Sequence, residues 1–71
     1  MNYLCPYCEA DLSELYYTAM DALKEKSSYE LNPQYITDCP NCNEQLKFIK
    51  SENNWYCLVL PDGSLRQIGI N

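Results

Sequence analysis

Two short motifs of one form, Cys5-Pro6-Tyr7-Cys8 and Cys39-Pro40-Asn41-Cys42, constrain this chain more than any other feature. A Cys-x-x-Cys turn can place two thiolates on one metal ion, and two such turns complete a tetrahedral set of four sulfurs. The proline after the first cysteine fixes φ and leaves the following amides free to point at sulfur. Thirty residues, Glu9 to Asp38, separate the two pairs, more than the roughly 15–20 usual for this spacing. A helix between them accounts for the excess. Cys5, Cys8, Cys39 and Cys42 are therefore expected to hold one structural Zn²⁺, with no coordination position left for a substrate.

The length of the chain makes such a staple necessary. At 71 residues it is expected to form one domain over 1–71, and cores of this size rarely supply more than about 3–5 kcal/mol. Small natural domains add a metal, disulfides or a partner chain. Disulfides fit less well, because five cysteines leave an orphan in a closed framework. Met1-Asn2-Tyr3-Leu4 reaches Cys5 without the charged and apolar regions of a signal peptide. A cytoplasmic protein with reduced thiols is expected. No apolar run approaches the roughly 20 residues that cross a bilayer.

Periodicity supplies the rest of the architecture. Leu12, Leu15, Tyr16, Ala19, Met20 and Leu23 recur on one helical stripe. Asp11 as N-cap and Glu14 three residues on read as a capping box, so a helix is expected over about 12–26. Asn32-Pro33 disfavours helix, and Tyr35-Ile36-Thr37 is β-rich. Gln45 to Lys50 largely alternates polar and apolar residues, as a half-buried strand does. Trp55 to Leu60 is nearly all apolar and reads as a central strand. Ser51–Asn54 and Pro61-Asp62-Gly63-Ser64 read as turns, and Leu65 to Ile70 as a shorter last strand. The expected fold is a small α+β zinc-bound domain. One helix sits between the two Cys-Pro-x-Cys motifs, and a three- or four-stranded antiparallel sheet follows.

On these motifs and the β-rich segments from Tyr35 to Ile70, the chain resembles the zinc ribbons, the rubredoxin-like family of knuckle-and-hairpin domains. The resemblance implies that each motif forms a knuckle, the second capping a β-hairpin. Family knuckles usually end Cys-x-x-Cys-Gly, because the next residue often takes a left-handed conformation. Asn43 tolerates that conformation, whereas Glu9 fits it poorly, so the first knuckle is expected to run straight into the helix. Cys57 reads as a small core residue. The alternative makes it a fourth ligand in place of one knuckle thiol. Cys5-Pro6-Tyr7-Cys8 is also similar to the glutaredoxin active site, where a helix N-terminus would favour a reactive thiolate. Against that redox reading stand the short segment before Cys5, the lack of a βαβ pattern or cis-proline loop, and the second Cys-Pro-x-Cys.

Charge narrows the functional classes. The net charge is −5 with no histidine, and four thiolates on one Zn²⁺ would add two more negative charges. Nucleic-acid affinity comes mostly from Lys and Arg on phosphates, and the five here are scattered among ten acids. An accessory nucleic-acid-binding ribbon is the less favoured alternative. The missing histidine removes the commonest general base, and no catalytic residues are expected. What remains is a small acidic protein that binds another protein as adaptor, regulator or inhibitor, of a kind suited to bacteria or their phages. Of seven tyrosines, Tyr7 at a knuckle tip and Tyr17 off the helical stripe are the candidates for that surface.

Overall fold

The computed structural model describes residues 3–70, and of Ile70 the backbone only. The apolar stripe folds as α1, Ser13–Lys26, and buries Tyr16, Ala19 and Leu23. Its start differs from the expected capping box. Leu12 occupies the N-cap position without a side-chain cap, since leucine has no polar atom to offer, and its N–H bonds the Tyr3 carbonyl at 2.7 Å. The Asp11 carboxylate instead accepts the Ser13 N–H at 3.0 Å and the Ser13 hydroxyl at 2.6 Å. Those bonds hold the Asp11 carboxyl below its usual range. At the other end, the Ser27 and Ser28 hydroxyls donate to the Lys24 and Glu25 carbonyls, and Lys26 Nζ donates to the Gln34 carbonyl. These groups satisfy carbonyls that the end of a helix leaves free and tie the helix to the first strand.

Four strands follow: β1 Gln34–Asp38, β2 Gln45–Lys50, β3 Trp55–Val59 and β4 Leu65–Ile70. They form one antiparallel sheet in chain order. β3 lies between β2 and β4, as its apolar run implies. β4 is not the shorter strand expected: it has six residues against five in β3. Its extra residue enters at a register shift, with Tyr56 opposite Gly69 but Cys57 opposite Gln67. Ile68, the residue skipped, is buried in the core. Gly69 lies against the helix, where an added Cβ would stand 2.6 Å from Met20 Sδ.

One face of the sheet meets α1 and makes the core. Leu12, Tyr16, Ala19 and Leu23 pack with Leu46, Phe48, Tyr56, Leu58 and Ile68. Phe48 lies at its centre, edge-on to Tyr16 and tilted against Tyr35. Cys5 and Cys39 border this core, so the thiols and the hydrophobic interior are one continuous unit. No helix among the described residues is long and apolar enough to cross a membrane.

Candidate metal centre

The two cysteine motifs fold into turns of one design. Cys5 N–H bonds the Ala10 carbonyl and Glu9 N–H bonds the Cys5 carbonyl, both at 2.9 Å. In the second turn Cys39 N–H bonds Glu44 and Asn43 N–H bonds Cys39, at 2.9 and 2.8 Å. The amide that follows each proline, Tyr7 or Asn41, donates to the sulfur of the first cysteine at 3.4 Å. An antiparallel pair brackets each turn: Leu4 with Asp11 in the first, Asp38 with Gln45 in the second. Bonds of this kind stabilise sulfur as thiolate, the form that binds metal.

Closing both turns needs a left-handed residue, and here the expectation for the first one fails. Glu9 has φ 62° and Asn43 φ 63°. The first turn therefore closes as the second does and does not run straight into the helix. The Leu4–Asp11 bridge fixes both ends of this turn, which leaves Glu9 no other conformation to adopt. Left-handed backbone costs a non-glycine residue roughly 1–2 kcal/mol, partly offset in a glycine variant by the unfolded chain's greater freedom. Glu9→Gly is expected to raise stability by about 0.5–1 kcal/mol, read by denaturant unfolding. A β-branched Glu9→Val should lower it.

Together the turns bring Cys5, Cys8, Cys39 and Cys42 into one cluster, with all four sulfurs within 4.8 Å of one another. Cys5 Sγ lies 3.8 Å from Cys42 Sγ, and Cys8 Sγ lies 3.7 Å from Cys39 Sγ. A disulfide would need about 2.05 Å. A tetrahedron with metal–sulfur bonds of about 2.3 Å has sulfur–sulfur edges of about 3.8 Å. The spacing fits a metal ion. Cys5 and Cys39 are buried, whereas Cys8 and Cys42 are half-exposed, so each turn contributes one inner and one outer thiol.

Electrostatics favour a cation at this point. A side-chain hydrogen bond with Asn41, then a backbone bond with Ala10, lowers the Cys8 thiol to about 6. The Glu44 backbone bond would lower Cys42 too, but burial and hydrogen bonds with the other three thiols push it up to about 12. Four negative charges cannot share this volume unaided, and a metal cation would supply the missing counter-charge. The surrounding residues brace the cluster. The Tyr16 hydroxyl, buried in the core, donates to the Leu4 carbonyl beside Cys5. Tyr16 was legible as a core residue, but its link to the first turn was not.

Cys57 stands apart. It is buried, bonds weakly to the Trp55 carbonyl at 3.8 Å, and lies outside the four-sulfur cluster. The alternative that makes it a substitute ligand is overturned. Alternation along β3 puts it on the face opposite Leu58 and the helix, so it cannot reach the other sulfurs. Burial pushes its thiol up. Tyr7 and Tyr17 are both exposed, and Tyr17 leans edge-on against Tyr3. Comparison with protein-family models, with curated proteins and with solved structures finds no match to this chain.

Proposed function

We propose that this chain is a zinc-ribbon-like module in which one structural Zn²⁺ is held by Cys5, Cys8, Cys39 and Cys42, and that it acts by binding another protein. The observation that carries the reading is the sulfur spacing, 3.7 and 3.8 Å, at the edge length of a zinc–thiolate tetrahedron. Tetrahedral four-sulfur sets suit zinc or iron. Zinc is assigned because it binds such a set without redox chemistry and leaves no open position for a substrate. The two turns then act as zinc knuckles, one leading to α1 and one capping the β1–β2 hairpin.

Without histidine, the commonest general base, and with its four clustered thiols committed to one ion, the module is better suited to binding than to catalysis, which supports a role as adaptor, regulator or inhibitor. Thiol–disulfide exchange is disfavoured because Cys5 is buried and the sheet is antiparallel throughout, without the βαβ unit of redox folds. Tyr7 and Tyr17 supply exposed, amphipathic contact area of the kind that dominates interfaces. The test is affinity capture with partners identified by mass spectrometry, repeated with Tyr7→Ala and Tyr17→Ala. The reading expects at least tenfold weaker capture with unchanged folding. Equal capture by both variants would remove the tyrosine surface, and insulin reduction by the wild type but not by Cys5→Ser would remove the non-catalytic role.

A further inference from the structure

The helix covers one face of the sheet and leaves the other open. By strand alternation, that outer face carries Ile36 of β1, Ile49 of β2, Trp55, Cys57 and Val59 of β3, and Leu65 of β4. Ile49 pairs with Cys57, and Val59 with Leu65, so the apolar residues are contiguous across the three strands β2 to β4. Ile36 and Leu65 are each 51% exposed. Cys57, at the centre, is only 4% exposed and already shielded by its neighbours. Exposed apolar faces of this kind mark contact surfaces on soluble proteins.

Charge identifies the occupant. On the four strands, the outer positions hold one acid, Asp38, and one base, Lys47, on neighbouring strands. The face is neutral, while the chain as a whole carries −5. The excess negative charge therefore lies on the other surfaces, where two copies would repel each other. From this segregation we infer that the outer sheet face is a homodimer interface, packing face to face against the same face of a second copy of this chain. Such an interface is isologous, so a neutral apolar patch meets its own equal, and the two sheets pack about 10 Å apart. Four strands of five or six residues span about 19 by 18 Å. Two such faces bury about 700 Å² in projection, short of the roughly 1,200 Å² at which stable specific interfaces begin, so the dimer is weak and depends on concentration. The inference is independent of which metal fills the four-sulfur site.

Sedimentation equilibrium of the metal-loaded chain from micromolar to millimolar concentration tests it. The mass should rise twofold from 8.3 kDa, and Trp55 emission should shift to the blue over the same range. Ile36→Glu combined with Leu65→Glu, both at exposed positions, should hold the mass at monomer with metal content unchanged. Tyr17→Glu, on the helix side, should leave the dimer intact. A wild type that stays monomeric at millimolar concentration overturns the inference. So does a dimer that survives the paired face variant or is lost with Tyr17→Glu.

Discussion

Cys39→Ser is expected to yield a chain without cooperative tertiary structure, rather than a destabilised version of the same fold. Cys39 is fully buried and stands 3.7 Å from Cys8 across the cluster. Losing it removes one of the four clustered thiols, a ligand in the proposed zinc site, and leaves a hydroxyl among three thiols at the edge of the core. Structural zinc contributes about 10–16 kcal/mol in small zinc-finger peptides, against about 3–5 kcal/mol from a core of this size. If zinc is bound as proposed, the metal term is several times the core term, and a chain that loses it keeps little stability. Amide dispersion in a two-dimensional NMR spectrum reads the outcome directly. Cys57→Ala is the matched control. It removes a buried thiol outside the cluster and should keep both the dispersion and the metal.

Phe48→Ala should cost about 3–5 kcal/mol even with the metal bound. Phe48 is fully buried on β2, with Tyr16 edge-on at 5.4 Å and Tyr35 at 6.3 Å between ring centres. Tyr16 is held by its hydroxyl to Leu4 and so resists collapsing into the space. The loss equals the whole contribution expected from such a core. Denaturant unfolding at saturating metal should show the midpoint fall while one metal per chain remains. Leu31→Ala is the contrast. Leu31 is 95% exposed, and its removal should change stability by less than about 0.5 kcal/mol.

The sequence showed most clearly what short-range chemistry dictates. Alternation over Gln45–Lys50 placed β2, the Leu12–Leu23 stripe placed the buried face of α1, and the paired Cys-Pro-x-Cys motifs pointed to four sulfurs that the fold brings together. Features that depend on distant partners were not legible. Glu9 is left-handed because the Leu4–Asp11 bridge closes its turn, and a glycine preference alone argued the other way. The helix starts after Leu12, whose amide is bonded to the distant Tyr3 carbonyl rather than left at a free helix end. The register shift at Tyr56 and Cys57, which sends Ile68 inward and sets Gly69 against Met20, has no marker in the local sequence. The apolarity of Trp55–Leu60 placed β3 inside the sheet correctly. Only one of its two faces is covered, and the other is the surface proposed for the second copy.

A zinc ion in the four-sulfur cluster is the centre of the proposed function. Native mass spectrometry of the purified chain, paired with circular dichroism before and after a strong chelator, tests this most directly. A structural zinc predicts a mass increment of one zinc ion per chain and loss of the sheet signal when the ion is stripped, restored on adding zinc back. A metal-free chain that keeps its sheet signal in the chelator would contradict it.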